Sequence, residues 1–125
     1  MDINELTYSI RGAIFKVHQT LGPGLLESVY EAALLYELRE KNLKAVSQVG
    51  LPVDYNGIHL ELGFRIDILV EESVIIEIKS IESIRDIHKK QLLTYLRLSD
   101  KKIGILVNFN VSSLKDKESL IRIIN

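Results

Sequence analysis

Residues 64–79, with the sequence FRIDILVEESVIIEIK, contain two runs of Ile, Leu and Val that are separated by the polar tripeptide Glu71-Glu72-Ser73. Such runs on either side of a short polar connection are typical of the two strands of a hairpin. Each run nevertheless carries a carboxylate in its middle, at Asp67 and at Glu77. Because an unpaired buried carboxylate is costly, the hairpin must provide a compensating charge or hydrogen bonds.

The register of this hairpin decides whether the two carboxylates meet. Because side chains alternate along a strand, Arg65, Asp67 and Leu69 are predicted to share one face. Glu77 and Lys79 are predicted to share one face of the following strand. If the three-residue connection leaves its flanking valines opposite each other, Asp67 lies directly across from Glu77. A two-residue connection would instead send the two carboxylates to different faces of the sheet.

Two interpretations of the paired carboxylates remain open from the hairpin alone. The pair would suit a hard divalent cation, because Mg²⁺ binds a small number of carboxylates together with water and phosphate oxygens. Lys79, one pleat further on, would then stabilise charge on a phosphate under attack or orient the attacking water. The other interpretation is a salt-bridged edge hairpin, in which Arg65 and Lys79 simply neutralise the two carboxylates.

The flanking sequence predicts a mixed α/β arrangement around this hairpin. Apolar residues recur at helical spacing in three segments, and Gly22-Pro23-Gly24 separates the first two. The dipeptide Asn56-Gly57 predicts a turn that leads into the first strand of the hairpin. This order of elements implies a mixed sheet that helices cover on its faces. Helices are predicted at residues 4–21, 25–41 and 84–98, and strands at residues 45–53, 58–70, 74–79, 103–109 and 119–124.

The composition is that of one globular domain over residues 1–125, with 46% hydrophobic and 26% charged residues. No segment approaches the roughly 18 apolar residues of a membrane span, and the first five residues do not resemble a signal peptide. These features predict a cytoplasmic protein without a membrane partner. Because the chain has no cysteine, any metal must be bound by oxygen or imidazole ligands.

The charge balance gives no direct indication of a nucleic-acid partner. The chain has 16 basic and 17 acidic residues, whereas Lys and Arg contacts with phosphates supply most non-specific affinity for nucleic acids. Basic residues do cluster at Lys89-Lys90, at Arg97 with Lys101-Lys102, and from Lys115 to Lys117. The simplest interpretation of these clusters is a solvated surface.

Two of the predicted helices carry polar residues at helical spacing. Glu27 and Tyr30 are three residues apart and therefore share one face, although an acid in the first turn also suits the helix dipole. The third helix carries His88, Gln91 and Tyr95 at spacings of three and four. That stripe is equally compatible with a solvated helix face.

Taken together, these motifs resemble the GxxExxY family of small prokaryotic proteins, which is placed in the PD-(D/E)XK nuclease superfamily. The resemblance implies a restriction-endonuclease-like PD-(D/E)XK fold, with a central mixed β-sheet flanked by helices. The superfamily's proline before the first acid is Ile66 here. The matching motifs, which extend over nearly the whole chain, are Gly24-xx-Glu27-xx-Tyr30, FRID at 64–67, IEIK at 76–79, Gln91-xxx-Tyr95 and GILVNF at 104–109.

The resemblance also implies a metal site. It implies Mg²⁺, for which Mn²⁺ can substitute, held by Glu27, Asp67, Glu77 and the backbone carbonyl of Ile78. The helical Gln and Tyr are similar to a pattern of recombination-associated exonucleases, where it supports the metal site and the DNA strand. The catalytic residues implied in this way are Glu27, Asp67, Glu77, Lys79, Gln91 and Tyr95.

Three functions are compatible with these residues. The first is a metal-dependent nuclease that hydrolyses phosphodiester bonds, with DNA as the expected substrate. The second is a nucleic-acid-binding or assembly module with the same fold and little turnover, which the near-neutral charge and small size favour. The third is an enzyme that acts on another phosphate-containing substrate. Each of them is compatible with a homo-oligomer.

Overall fold

The computed structural model describes residues 1–60 and 64–125 with their side chains, and residues 61–63 as strand backbone. Helices and strands follow one another in the predicted order. The helices are α1 (Ile3–Leu21), α2 (Glu27–Glu40) and α3 (Asp86–Ser99). The strands are β1 (Ala45–Tyr55), β2 (Ile58–Val70), β3 (Val74–Lys79), β4 (Ile103–Asn108) and β5 (Leu120–Ile124).

The five strands form one sheet in the order β1-β2-β3-β4-β5. β3 and β4 are parallel, whereas every other neighbouring pair is antiparallel. Since parallel strands require a crossover connection, α3 supplies it between β3 and β4. The predicted mixed α/β sheet is confirmed.

The helices cover both faces of the sheet and create two hydrophobic cores. α1 and α2 pack on one face, where Tyr30 and Phe109 are fully buried. α3 packs on the other face through Leu92 and Leu96. None of the helices in the described part of the chain has the length and hydropathy needed to cross a bilayer.

Tyr30 holds the turn that joins α1 to α2. Its hydroxyl donates a hydrogen bond to the Gly22 carbonyl at 2.6 Å and accepts one from the Leu25 amide at 3.2 Å. Its ring stacks on Phe109 with a centroid distance of 4.5 Å. Gly24 has a φ of +97° in this turn, a conformation that side chains with a Cβ rarely adopt. The turn therefore fixes the first residues of α2 against the end of β4.

Two helices begin two residues later than the apolar pattern predicts. α2 begins at Glu27 because Leu26 is extended. α3 begins at Asp86 because Arg85 is extended and its amide donates to Nδ1 of His88 at 2.9 Å. His88 thus caps α3 and is not simply a member of a solvated polar stripe.

Gly104 of β4 allows α3 to approach the sheet. A Cβ at this position would lie 2.9 Å from three side-chain atoms of Leu92, which is only 1% exposed and would have to shift within a packed core. We expect Gly104→Ala to destabilise the protein by about 1–3 kcal/mol through overpacking. Urea unfolding of Gly104→Ala, Leu92→Ala and the double variant measures the coupling. An equal cost of Gly104→Ala with and without the Leu92 side chain would contradict this explanation.

Candidate active site

The hairpin of β2 and β3 has the register expected for a three-residue connection. Val70 lies opposite Val74, and the pairing extends two further positions along each strand. The Ser73 amide donates to the Val70 carbonyl at 2.9 Å and closes the turn. Continuing the same register by one position places Asp67 opposite Glu77.

The ladder between the two strands ends at this position because carboxylates replace backbone carbonyls as acceptors. The Ile78 amide donates to Oδ2 of Asp67 at 2.7 Å. The Asp67 amide donates to Oε1 of Glu77 at 3.3 Å. A side chain between two backbones requires more room than a direct ladder bond, so the strands separate here. These bonds are the compensation that the buried carboxylates require.

The alternation of side chains along β2 also breaks at Asp67. Ile66 packs against α3, whereas Ile68 packs on the opposite face against α1 and α2. In a regular strand these two residues would share a face. Gln48 of β1, between the positions paired with Ile66 and Ile68, has a φ of +53°. The neighbouring strand is therefore distorted at the same level of the sheet.

The prediction that Arg65, Asp67 and Leu69 share one face is therefore wrong. Leu69 packs on the α3 face, as Ile66 does. Arg65 is exposed and, as the neighbour of Ile66, points to the other side. The physical reason is the irregularity at Asp67, which shifts the alternation by one residue.

The structure does not support the salt-bridged hairpin. Among the ion pairs of the residues described with side chains, none involves Asp67 or Glu77. Arg65 donates from Nη1 to the backbone carbonyl of Gln48 at 3.0 Å. Lys79 is half-buried, and its positive charge acts on both carboxylates only from beyond ion-pair distance.

Burial and neighbouring negative charges raise the pKa values of the two carboxyl groups. Burial raises the pKa of Glu77 to about 8, and the charge of Asp67 adds to the increase. Burial also raises the pKa of Asp67, with a further contribution from Glu27. Without a cation, part of this cluster therefore remains protonated near neutral pH.

Glu27 reaches the cluster from the first turn of α2. Its Oε2 accepts a hydrogen bond from the Ser80 amide at 3.0 Å. The Ser80 hydroxyl donates to the Leu25 carbonyl at 2.6 Å. These two bonds connect the start of α2 to the residue that follows Lys79. Glu27 is thus bonded to the residue after Lys79, and its charge acts on both hairpin carboxylates.

Two further residues of the cluster were not predicted. Glu31 lies one turn after Glu27 and accepts a hydrogen bond from Nε2 of Gln48 at 2.7 Å. The Gln48 side chain also acts to lower the pKa of Asp67, against the larger effect of burial. Burial raises the pKa of Glu31, and the charges of Asp67 and Glu27 add to it. The four-residue spacing of Glu27 and Glu31 on one helix face was a usable signal.

The residues of α3 differ in their relation to the cluster. Tyr95 is half-buried and stacks on Phe64 with a centroid distance of 4.0 Å. Burial raises the pKa of its phenol, and the charges of Glu77 and Asp67 add to the effect. Gln91, one turn earlier, is exposed. The charges of the carboxylates therefore reach Tyr95, whereas the structure shows of Gln91 only that it is exposed.

The donor set suits a hard cation. Asp67 and Glu77 each bond the backbone of the other's strand and have no basic ion-pair partner among the residues described with side chains. Mg²⁺ requires only one or two protein carboxylates. The predicted set of Glu27, Asp67 and Glu77 is less closely assembled. Within the described residues, no group of three His, Cys, Asp or Glu side chains has an arrangement that could hold a metal ion.

Comparisons with known protein families and solved structures give matches that cover nearly the whole chain. A family model described as the PD-(D/E)XK nuclease superfamily matches residues 4–123. No curated protein matches the sequence. The fold is similar to the crystal structure of a protein named SSO0001, with a TM-score of 0.58 and 22% sequence identity. The similarity covers 97% of this chain and 61% of that one, and at this identity it shows the fold alone.

The raised pKa of Glu77 predicts a pH-dependent stability of the metal-free protein. The unfolded chain releases this proton near the ordinary pKa of 4.5, and the folded chain near 8. Stability is therefore highest below the first value and falls as the pH rises through the second. In EDTA, Glu77→Gln should match the wild type at acidic pH and melt at a higher temperature at alkaline pH.

Thermal melts at a series of pH values test this expectation. Glu118→Gln, which removes an exposed carboxylate, is the matched control and should follow the wild type. Parallel pH profiles of wild type and Glu77→Gln would show that Glu77 ionises as easily in the folded as in the unfolded chain.

Proposed function

The chain belongs to the PD-(D/E)XK nuclease superfamily, and on this basis we propose that it is a divalent-metal-dependent nuclease that hydrolyses phosphodiester bonds in DNA. We further propose that residues 1–125 form one nuclease domain of the GxxExxY family. The observation that carries the proposal is the pair Asp67 and Glu77. Their carboxylates lie together at the strand separation without an ion-pair partner among the described residues.

The metal ligands in this proposal are Asp67, Glu77 and the Ile78 carbonyl. The third acid in this proposal is Glu27, which would have to move closer to the pair, because no three acids of the described residues are arranged to hold a metal ion. When bound, Mg²⁺ supplies Lewis-acid polarisation of the phosphate and lowers the pKa of a water molecule. The hydrogen bonds from the Ile78 and Asp67 amides hold the two strand carboxylates in fixed orientations, which reduces the reorganisation required on metal binding.

The remaining proposed site residues act on the phosphate and on the nucleic acid. Lys79 stabilises the negative charge that develops on the phosphate during attack and orients the attacking water. Tyr95 and Gln91 support the site and the DNA strand from α3. The stacking of Tyr95 on Phe64 fixes the ring near the carboxylates.

A second candidate function is a nucleic-acid-binding or assembly module without turnover. The hydrogen bond between Glu27 and the Ser80 amide favours it, because this bond commits one oxygen of the helix acid to the protein itself. An enzyme that acts on another phosphate-containing substrate would use the same residues. Substrate tests therefore distinguish the three functions.

Cleavage assays on purified protein provide the direct test. Linear, nicked and single-stranded DNA, RNA and nucleotides are each incubated with Mg²⁺, with Mn²⁺ and with EDTA. Metal-dependent cleavage of DNA supports the proposal. DNA binding without cleavage of any nucleic acid supports the binding module, and hydrolysis of nucleotides alone supports the third function.

Metal binding is measurable independently of activity. We expect Mg²⁺ or Mn²⁺ to raise the melting temperature of the wild type, because a ligand of the native state stabilises it by mass action. Asp67→Asn and Glu77→Gln should abolish this increase, whereas Glu118→Gln should retain it. An undiminished metal response in the first two variants would exclude both residues as ligands.

Lys79→Ala separates catalysis from metal binding. We expect this variant to keep the metal-induced increase in melting temperature and to lose cleavage activity by roughly a hundredfold or more, the scale of a lost electrostatic stabiliser. Glu77→Ala should lose both properties. Equal cleavage rates of Lys79→Ala and wild type would show that this lysine has no catalytic role.

A further inference from the structure

A polar groove lies beside the candidate site, at the carboxyl ends of β3 and β4. It has a volume of about 480 Å³. Its walls are the segment after β3, the first turn of α3 and the segment after β4. Asn108, the last residue of β4, forms part of its lining.

The groove brings together basic residues that are distant in sequence. Lys89 of α3 lines one wall, and Lys115 and Lys117 line the opposite wall. These residues belong to two of the three basic clusters in the sequence. The third cluster, Arg97 with Lys101-Lys102, lies near the amino ends of β3 and β4, at the other end of the sheet.

The groove is structurally continuous with the carboxylate cluster. Asn108 is the register partner of Lys79 on the neighbouring strand. Its amide group binds both the amide and the carbonyl of Ile81, at 3.0 and 2.9 Å. The chain therefore passes from Lys79 through Ser80 and Ile81 directly into the wall of the groove.

The wall that carries Lys115 and Lys117 is preorganised. The Lys115 amide donates to the hydroxyl of buried Ser119 at 2.8 Å. The Lys115 carbonyl accepts bonds from the amides of the following turn, including that of Ser119 at 3.0 Å. The Lys117 amide donates to the Leu120 carbonyl at 2.9 Å. A ligand of these two lysines therefore need not order this turn.

We propose that this groove binds the sugar-phosphate backbone of the nucleic acid on one side of the bond that is cut. The inference rests on the proposed nuclease function and specifies where the substrate lies. Within the described part of the chain, the groove is lined by lysines and by Ser112 and Ser113, but by no Tyr, Phe or Trp. Such a surface contacts phosphates and does not stack bases, so binding is insensitive to sequence and sensitive to salt.

Two acidic residues moderate the charge of the groove. Glu82 and Glu118 also line it, and they oppose a polyanion in the same place where the lysines attract it. Nζ of Lys89 is 4.0 Å from Oδ1 of Asp86, which lies three residues earlier in α3, and this ion pair is exposed. The net attraction is therefore modest, and removal of the groove acids should strengthen binding.

Binding of a fluorescent oligonucleotide in EDTA tests the groove without cleavage. We compare Lys115→Gln/Lys117→Gln with the matched control Lys101→Gln/Lys102→Gln, on single-stranded and duplex DNA of the same sequence. We expect each groove lysine to contribute roughly fivefold to tenfold at about 0.1 M salt, and its removal to reduce the salt slope by about 1. Lys89→Gln should have a similar single-residue effect, and the control pair should remain close to wild type.

Glu82→Gln/Glu118→Gln should change affinity in the opposite direction, towards tighter binding. Melting temperatures of all variants verify that they remain folded, which is expected because the substituted groove residues are exposed and, in the control pair, Lys102 is exposed and Lys101 half-buried. Equal losses of affinity in the groove pair and the control pair would overturn the inference. So would an unchanged affinity in the groove pair.

Failure of this inference is distinguishable from failure of the proposed function. If the wild type cuts DNA but the groove variants bind DNA as tightly as the wild type, the proposed nuclease function stands. The groove is then excluded as the place where the DNA backbone binds. If the wild type neither binds nor cuts any nucleic acid, both proposals fail. Preferential weakening of single-stranded or of duplex binding identifies the form of the backbone that the groove holds.

Discussion

The hydrogen bond between the Ile78 amide and Oδ2 of Asp67 occupies a position where a continuous ladder would have a backbone acceptor. A second bond, from the Asp67 amide to Oε1 of Glu77, joins the same two strands. Together they satisfy the backbone and the carboxylates at once, so the strands can separate without leaving buried polar groups unpaired. The rest of the site depends on this replacement of backbone acceptors by carboxylates. It holds the Asp67 and Glu77 side chains at the point where β2 and β3 separate.

Elements on both faces of the sheet maintain this separation. On β1, Gln48 has a positive φ, and its side chain donates a hydrogen bond to Glu31. From one face, α2 reaches the segment after β3 through the bond of Glu27 to Ser80. From the other face, α3 places Tyr95 beside the cluster. The site is therefore assembled by tertiary packing of α2 and α3 on a locally irregular sheet.

The same arrangement has an electrostatic cost. Burial raises the pKa of both Asp67 and Glu77, and the charge of Glu27 adds to the increase at Asp67 as that of Asp67 does at Glu77. In the described part of the chain neither carboxylate has a basic ion-pair partner. Structural ion-pair networks normally neutralise such groups, whereas perturbed and unneutralised carboxylates are typical of functional sites. The proposed cation and the proposed groove of lysines would reconcile this negative centre with a polyanionic substrate on a chain of net charge −1.

The order of the elements, the hairpin and the meeting of its two carboxylates were predictable from the sequence, because turn length and side-chain alternation are local properties. The tertiary structure alone decided the break in alternation at Asp67 and the left-handed backbone of Gln48, since neighbouring strands impose both. It also decided that Lys89 and Lys115 share a groove. Their distance depends on how α3 and the segment after β4 pack at one end of the sheet, and no local pattern encodes that packing.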